Sequence, residues 1–267
     1  DVCSSDLFMK QSKKLQTPNS IRNFVIVCWL AYFSTYLGRL NYAASMNEIV
    51  RDGFLTRPEA GMIGTGFFLC YGIGQIISGF LGDLIPSKWM GFAGVSGSAI
   101  INLMMYHAND GNTMLILWCI NGFVQSLTWA PIIKILSDRL IRENCKKACI
   151  FMSTTVAAGT LSAYLMAAVT ISLSNWRNVF MTSFVIISCI SILWLFAIGK
   201  IERIAEKDGF LEEIHRSTNM NEVNQVNLWK LFLALGLFPI MFCIVIQGIL
   251  KDGVTAWVPT YISEIFK

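Results

Sequence analysis

Apolar residues in this chain gather in runs of roughly 20 residues, which short charged segments separate. A run of that length, coiled as an α-helix, crosses the ~30 Å hydrocarbon core of a bilayer. Because lipid offers the backbone no hydrogen bonds, each such run must be helical. The pattern predicts seven helices, over residues 21–45 or beyond, 58–84, 88–107, 113–140, 145–173, 176–199 and 238–262. We therefore expect an all-α polytopic membrane protein.

The composition argues against a soluble globular protein. Of the 267 residues, 54% are hydrophobic and 14% are charged, and the mean hydropathy is +0.55. A soluble domain usually carries about 25% charged residues. Seven predicted helices would also match a membrane receptor, so the number of helices alone does not identify the class.

The positions of Lys and Arg predict which side of the membrane each loop faces. If the N-terminus is inside, fourteen of these residues fall in inner segments and three, Arg51, Arg57 and Arg177, fall in outer loops. Cytoplasmic loops carry the excess of Lys and Arg in membrane proteins. We therefore expect a cytoplasmic N-terminus in a bacterial inner membrane, whereas a seven-helix receptor would have its N-terminus outside.

Polar stretches divide the chain into four parts. Residues 1–8 are expected to be an artefact, because Asp1–Leu7 is what a common sequencing-adapter end encodes, which makes Met9 the expected start. Residues 9–199 form the predicted six-helix bundle. Residues 200–227 are polar and mixed in charge, and residues 228–232 are amphipathic, so residues 200–235 are predicted to be a cytoplasmic linker with an amphipathic lead-in to the next helix. Residues 236–267 hold helix 7, so the expected whole is a six-plus-six transporter, truncated here before helices 8–12.

Few residues are arranged for covalent or metal chemistry. The eight cysteines show no Cys-x-x-Cys spacing, and no His or second pair completes a zinc site around Cys145 and Cys149. No nucleophile–base pair and no basic patch interleaved with aromatic residues is visible. We therefore expect no enzyme, no metal, no cofactor and no nucleic-acid partner. We also expect the full-length protein to be a monomer in the lipid bilayer.

The loop between predicted helices 2 and 3 reads Gly-Phe-Leu-Gly-Asp-Leu-Ile-Pro-Ser-Lys over residues 79–88. It resembles the signature of the major facilitator superfamily, in which a Gly, an Asp four residues later and a basic end close this turn. Gly79, Asp83 and Lys88 match, and Leu84 stands where an Arg is usual. The resemblance implies a conformational role, in which Asp83 caps a helix end and pairs with a basic residue. A plain helix-ending carboxylate is the alternative.

Three longer segments resemble the organophosphate:phosphate antiporters, which exchange glycerol-3-phosphate or hexose phosphates. They are residues 36–43 in helix 1, residues 125–134 in helix 4, and residues 250–261 in helix 7, where Lys251 precedes Trp-Val-Pro-Thr-Tyr. The resemblance covers most of residues 20–265 and implies the major facilitator fold. In that family, one basic residue from helix 1 and one from helix 7 bind the substrate phosphate. The matching residues are Arg39 and Lys251.

The residues themselves support this pair of cations. A charge inside a membrane span is costly, so it is expected to be functional. Helices 1 and 7 begin the two halves of such a transporter, and repeat-related helices meet at its central site. Arg39 could instead snorkel to the outer surface, and Lys251 could instead pair with a carboxylate such as Asp252.

Neutral side chains complete the candidate site. Gln75 stands where some antiporters carry a Lys, and the helix 5 His of the family is absent. These differences, with Lys instead of Arg on helix 7, favour a smaller or less charged organic anion. Thr154 and Thr155 are candidate hydrogen-bond partners, with helix packing as the alternative. The residues expected to contact substrate, or else to pack helices, are Gln75, Tyr36, Tyr42 and Trp129.

Together these features predict a secondary active transporter that moves a small organic anion by alternating access. An organophosphate exchanged for phosphate is one candidate substrate. A bound anion would neutralise Arg39 and Lys251, so the loaded carrier would change conformation more easily than the empty one. Lys134 is interpreted as a positive-inside anchor or part of an attracting funnel. The alternative function is a transporter-like membrane sensor that binds the anion without moving it.

Overall fold

The described part of the chain is built from six long helices. The computed structural model describes residues 13–208 and isolated positions between 239 and 254. The helices are α1 (Pro18–Arg51), α2 (Arg57–Leu84), α3 (Ser87–Tyr106), α4 (Gly111–Arg139), α5 (Arg142–Leu173) and α6 (Trp176–Asp208). The predicted all-α fold is confirmed, and each of the first six predicted helices is present. Most of the predicted linker and helix 7, including Lys251, lies outside the described residues.

Two helices are longer than the sequence pattern indicated. α1 begins at Pro18 and runs to Arg51, and α6 continues past its expected end at Gly199 to Asp208. The first residues of the predicted linker are therefore helical. Ile201 and Ala205 are 6% and 0% exposed, so this polar stretch buries one apolar stripe against the bundle. Hydropathy averaged over a run hides such a stripe.

The helices alternate in direction, which gives the bundle two ends. The entry end holds residues 13–18, the turns near residues 85 and 140, and the described end of α6 at Asp208. The far end holds the turns near residues 54, 108 and 174. At the far end, Asp110 caps α4 by accepting a hydrogen bond from the Thr113 N–H at 2.8 Å. The hydrogen bonds from Thr113 hold the pKa of the Asp110 carboxyl below its usual range, so this cap is charged at neutral pH.

Four of the described helices are long and apolar enough to cross a membrane. They span Arg57–Gly82, Gly111–Arg139, Arg142–Leu173 and Trp176–Lys207. α1 and α3 do not meet the same criterion of length and composition, and their residues Asn41 and Asn102 are 0% exposed inside the bundle. Helices in the middle of a membrane bundle can carry such residues because other helices, instead of lipid, surround them.

Two apolar clusters stabilise the bundle, one at each end. The entry-end cluster includes Phe24, Met152 and Trp194, and the far-end cluster includes Ile49 and Phe180. The helices pack side by side in the order α2, α4, α3, α6, α1, α5, and α1 and α4 also touch. Between the two clusters, at mid-bundle, the buried side chains are polar.

Candidate functional site

A layer of buried polar side chains joins four helices at mid-bundle. Asn41 Nδ2 of α1 donates to Asn102 Oδ1 of α3 at 2.6 Å and to Ser183 Oγ of α6 at 2.9 Å. Ser98 Oγ of α3 donates to Asn121 Oδ1 of α4 at 2.8 Å. These side chains are all at most 1% exposed. Because a buried polar group without a partner is costly, the layer fixes how the four helices meet.

Gly38 lies at the centre of this polar layer. Its carbonyl accepts a hydrogen bond from Asn121 Nδ2 at 2.9 Å. A Cβ on residue 38 would lie 2.8 Å from Ser98 Oγ and 3.0 Å from Gln125 Nε2, so a larger residue would displace its neighbours. The backbone of α1 is therefore held in place at the point from which Arg39 projects.

Arg39 is the cation of this mid-bundle region. Its side chain is half-buried, and its Cζ lies 4.1 Å from the ring centroid of Tyr36 and 5.7 Å from that of Tyr71 on α2. The Tyr32 side chain also lies close enough to Arg39 to interact with its charge. Since Tyr36 and Tyr32 lie one and two turns earlier on α1, the guanidinium points back toward the start of the helix. This orientation is opposite to snorkelling toward the far end.

Aromatic side chains from three helices surround Arg39. Tyr32 meets Tyr36 edge to face with ring centroids 5.6 Å apart, and it lies at a tilt on Trp129 of α4, with centroids 4.5 Å apart. Tyr71 brings a third phenol from α2, and its ring faces the guanidinium. We call this set the Arg39 cluster: Tyr32, Tyr36, Arg39, Tyr71 and Trp129.

Two further residues border the Arg39 cluster. Gln75, one turn after Tyr71 on α2, lies beside the Tyr71 side chain. Gly159 of α5 lies behind Tyr36, where an added Cβ would come within 2.6 Å of the Tyr36 Cβ. Only a glycine allows α5 to approach this closely. The site is therefore formed by α1, α2, α4 and α5.

The Arg39 cluster has the chemistry of an anion site. Among the side chains that the structure describes, no carboxylate forms an ion pair with Arg39. A guanidinium can bind a phosphate or carboxylate through two parallel hydrogen bonds, and nearby phenols can add O–H donors. In the same part of the chain, no group of three His, Cys, Asp or Glu side chains is placed to hold a metal ion.

The predicted signature loop joins α2 to α3 at the entry end. Lys134 of α4 donates to the Gly82 carbonyl at 2.5 Å, so a basic residue binds the last turn of α2. Lys88 lies 3.8 Å from Glu202 Oε2 on α6, and the Lys88 carbonyl accepts from Trp194 Nε1 at 2.9 Å. The loop is thus connected to α4 on one side and to α6 on the other.

A family model matches almost the whole chain. The family is described as Major Facilitator Superfamily, and the match covers residues 28–267. The chain belongs to the major facilitator superfamily. It is therefore a multi-pass membrane protein of a transporter family, as the sequence predicted.

Three named relatives show which members of the major facilitator superfamily the chain resembles. The chain is 24% identical to the Glycerol-3-phosphate transporter of Bacillus subtilis over 253 residues, which cover 88% of this chain and 56% of that protein. It is 25% identical to the Hexose-6-phosphate:phosphate antiporter of Escherichia coli over 134 residues, or 45% of this chain and 27% of that protein. It is 28% identical to the Membrane sensor protein UhpC of Salmonella typhimurium over 104 residues, which cover 39% of this chain and 24% of that protein.

The resemblance to the organophosphate:phosphate antiporters is thus confirmed, at low identity. The chain spans about half the length of the Bacillus relative and about a quarter of the length of the other two. Substrate and mode of transport do not follow from such partial matches and are treated below as proposals.

In this major facilitator chain, four of the predicted site residues come together. Tyr36 contacts Arg39 directly, Gln75 approaches it through Tyr71, and Trp129 approaches it through Tyr32. Lys251 and the side chain of Asp83 lie outside the described residues. At Gly79, no described heavy atom lies within 4 Å of where a Cβ would be, so that face of α2 is open in this part of the chain.

Tyr42 lies away from the Arg39 cluster, contrary to the expectation that it lines the cavity. It is 2% exposed, its hydroxyl donates to the Ala60 carbonyl of α2 at 2.9 Å, and its ring centroid lies 5.3 Å from that of Trp118. These contacts make it a packing residue of the far-end cluster. Thr155 is also fully buried, whereas Thr154 accepts a hydrogen bond from the Trp29 indole N–H at 2.9 Å.

Tyr32 and Tyr71 were not among the predicted site residues. Tyr32, Tyr36 and Arg39 are spaced by four and three residues, which places them on one face of α1. That spacing could have indicated Tyr32 from the sequence. Tyr71 is four residues before Gln75 and shares its face in the same way, but only the packing of α2 on α1 and α4 shows that it reaches Arg39.

Proposed function

We propose that the protein is a secondary active transporter that moves a small organic anion across the bacterial inner membrane by alternating access. The proposed substrate is an organophosphate, exchanged for phosphate. The Arg39 cluster carries this proposal, because it holds a guanidinium at mid-bundle among three phenols, with no ion-paired carboxylate among the described side chains. An anion is the ligand that would neutralise such a site.

The proposed mechanism follows from the cost of enclosing a charge. Arg39 binds the phosphate group through two hydrogen bonds, and the Tyr32 and Tyr71 hydroxyls add donors. Lys251, outside the described residues, is proposed as the second cation, supplied by helix 7. Uncompensated cations resist enclosure in an apolar bundle, whereas a bound dianion offsets their charge. The loaded carrier therefore changes conformation more easily than the empty one, and this difference yields exchange.

Two observations support the substrate class and the orientation. The Bacillus and Escherichia coli relatives are named for glycerol-3-phosphate and for hexose-6-phosphate exchanged with phosphate. The entry end carries Lys and Arg on several turns, whereas the far end carries few, which favours a cytoplasmic entry end and N-terminus. The proposed activity needs no bond to be made or broken in the substrate, so the protein is proposed not to be an enzyme.

Counterflow in proteoliposomes tests the proposed exchange. The full-length protein is reconstituted into vesicles loaded with labelled phosphate, and glycerol-3-phosphate or glucose-6-phosphate is added outside. We expect ester uptake coupled to phosphate release, and loss of both in Arg39→Gln. Arg51→Gln is the matched control, since Arg51 is exposed at the far end and pairs with Glu48 at 2.5 Å. Undiminished exchange in Arg39→Gln would contradict the proposed site.

A membrane sensor is the second candidate function. The observation that favours it is the 28% identity to a relative named a Membrane sensor protein, over 104 residues. A sensor would bind the anion with the same Arg39 cluster and would show no uptake. If the unmodified protein binds a phosphate ester but shows no counterflow, the result would favour sensing over transport. Counterflow at tens of turnovers per second, within the usual range for catalytic proteins, would exclude a sensor.

A further inference from the structure

A second group of aromatic side chains lies on the entry side of the Arg39 cluster, where α1 packs on α5. The rings of Trp29 and Phe33, one turn apart on α1, stack with their centroids 5.0 Å apart and an angle of 13° between their planes. Phe151 of α5 lies at a tilt to Trp29, with centroids 6.0 Å apart. We call this set the Trp29 shelf: Trp29, Phe33 and Phe151. The proposed binding of phosphate by Arg39 makes no use of it.

Hydrogen bonds hold the indole of Trp29 in place. Its N–H donates to Thr154 Oγ1 of α5 at 2.9 Å, and Thr154 Oγ1 donates in turn to the Phe151 carbonyl at 2.7 Å. The hydroxyl hydrogen of Thr154 is therefore already used within α5, while its oxygen binds the indole. Thr154 thus positions the ring of Trp29, and both rings of the shelf that meet across the two helices depend on it.

The Trp29 shelf shares a face of α1 with the Arg39 cluster. At 3.6 residues per turn, Trp29, Phe33, Tyr36 and Arg39 fall within about one third of the circumference of the helix. Trp29 and Phe33 are half-buried, whereas the residues on the opposite face of α1 are buried in the bundle. The open side of the shelf is therefore the side on which Arg39 lies.

The guanidinium of Arg39 points toward the shelf. It lies 4.1 Å from the Tyr36 ring and interacts with Tyr32, and both tyrosines are nearer than Arg39 to the start of α1. Because the aliphatic stem of Arg39 lies on the far-end side of its guanidinium, a bound phosphate would extend its organic substituent toward the entry end. With a rise of 1.5 Å per residue, Phe33 and Trp29 lie about 4.5 Å and about 10.5 Å beyond Tyr36 in that direction.

We infer that the Trp29 shelf binds the organic part of the substrate, and that it favours a phosphate ester with a ring-sized substituent, such as a hexose phosphate. The C–H faces of a sugar ring are apolar and can pack on aromatic side chains, which bury a large apolar area. Inorganic phosphate has no group that reaches the shelf, and a three-carbon ester reaches only its nearer part. The inference rests on the proposed function, because it takes phosphate binding by Arg39 as its starting point.

Competition binding to the full-length protein tests the shelf. Labelled inorganic phosphate is displaced by glucose-6-phosphate, by glycerol-3-phosphate or by unlabelled phosphate, which gives a Kd for each. In Trp29→Leu we expect the Kd of glucose-6-phosphate to rise at least about fivefold relative to that of phosphate, because aromatic contact and buried apolar area together contribute at least that factor. The Kd of glycerol-3-phosphate should rise less. Trp29→Phe keeps an aromatic ring and should recover most of the affinity.

Two further variants separate positioning from general damage. Thr154→Val keeps the shape of the side chain and removes the acceptor of the Trp29 N–H, so it should raise the same Kd ratio by a smaller factor, about twofold or more. Trp89→Leu is the matched control, because Trp89 lies on α3, is 53% exposed and meets the ring of Phe92. It should leave all three Kd values unchanged.

The outcomes distinguish this inference from the proposed function. An equal rise of all three Kd values in Trp29→Leu would make the shelf a packing contact and would overturn the inference. An unchanged ratio in both Trp29→Leu and Thr154→Val would overturn it as well, while the proposed function would stand. If the unmodified protein bound no labelled phosphate, the proposed function would fail, and this inference would fail with it.

Discussion

At the residue scale, the aromatic neighbours of Arg39 explain how a charge is tolerated at mid-bundle. Tyr36 and Tyr71 present their rings to the guanidinium at 4.1 and 5.7 Å. A cation–π contact stabilises the charge by about 0.5–2 kcal/mol without neutralising it. A carboxylate partner would stabilise Arg39 more, but it would compete with an anionic substrate. The phenols therefore keep the cation both stable and available.

Removing one hydroxyl from the Arg39 cluster should weaken substrate binding. We expect Tyr71→Phe to raise the KM of counterflow by about three- to tenfold, because a net hydrogen bond contributes about 0.5–1.5 kcal/mol. The unfolding temperature should change little, since the ring stays in place. Tyr42→Phe is the matched substitution, because its hydroxyl bonds the Ala60 carbonyl in the far-end cluster. Tyr42→Phe should lower Tm by a few degrees and leave KM unchanged. A raised KM in Tyr42→Phe with an unchanged KM in Tyr71→Phe would show that Tyr42, and not Tyr71, contacts the substrate.

The position of Tyr36 should depend on Gly159. The Cβ of Gly159→Ala would lie 2.6 Å from the Tyr36 Cβ, so α5 or Tyr36 must move. We expect counterflow at low substrate to fall by about tenfold, as small misplacements of binding groups are costly. Ala168→Val enlarges an exposed residue of the same helix and should have no such effect. Normal KM in Gly159→Ala would show that Tyr36 does not position Arg39.

The sequence identified Arg39 but only part of its surroundings. Arg39 stood out because a charge within an apolar run is unusual and because of the family resemblance. Tyr32 shares its face of α1 and was predictable from spacing. Tyr71 was not, because contact with a second helix depends on how α2 packs. Tyr42 was expected either to line the cavity or to pack helices, and its hydroxyl bonds the Ala60 carbonyl of α2 in the far-end cluster.

At the scale of the helices, the polar layer joins α1, α3, α4 and α6, while α2 and α5 pack at the two ends of the helix order. Asn41 and Asn102 bond each other directly, and Asn102 also donates to the Ser98 carbonyl. Asn121 joins the layer through the Ser98 hydroxyl and the Gly38 carbonyl. Hydrogen bonds between membrane helices depend strongly on context, and a fully connected network is stronger than isolated pairs. The inner four helices should therefore move as one unit.

Breaking the polar layer should destabilise the bundle. Asn102→Ala removes the acceptor of Asn41 Nδ2 and a donor to the Ser98 carbonyl, both buried. We expect the free energy of unfolding to fall by about 2–3 kcal/mol and the Tm in detergent to fall by about 5–10 °C. Unfolding is measured by tryptophan fluorescence. Asn112→Ala, at an exposed position of α4, is the control. An unchanged Tm in Asn102→Ala would mean that the layer contributes little to stability.

The sequence located the helices better than it located their ends. The apolar runs predicted both ends of α2, α3, α4 and α5 to within three residues. The end of α6 was missed because residues 200–208 are mostly polar, with Ile201 and Ala205 as the buried exceptions. Such a stripe becomes visible only when the opposing helix surface is known.

At the scale of the whole molecule, charge distribution and fold point to the same topology. The basic residues at the entry end lie at the starts of α1, α3 and α5 and at the ends of α4 and α6. The same end holds the loop between α2 and α3. One orientation in the membrane would thus place the basic residues and the loop between α2 and α3 together on the cytoplasmic side.

Fusion reporters test this topology. Alkaline phosphatase, which is active only outside the inner membrane, is fused after residue 109 or after residue 141. We expect activity from the first fusion and none from the second, because Lys and Arg are concentrated beside the second. A green fluorescent protein series at the same positions should give the opposite pattern. Phosphatase activity after residue 141 would contradict the proposed orientation.

The most direct test of the central claim is equilibrium binding at Arg39. A scintillation proximity assay measures the Kd of a labelled phosphate ester for the full-length protein, for Arg39→Gln and for Arg51→Gln. Because hydrogen bonds to a charged group contribute about 1.5–3 kcal/mol, we predict a Kd at least about tenfold higher in Arg39→Gln and unchanged in Arg51→Gln. Arg39→Lys should be intermediate, since it keeps the charge and loses the bidentate geometry. An unchanged Kd in Arg39→Gln would show that the anion binds elsewhere and would contradict the account.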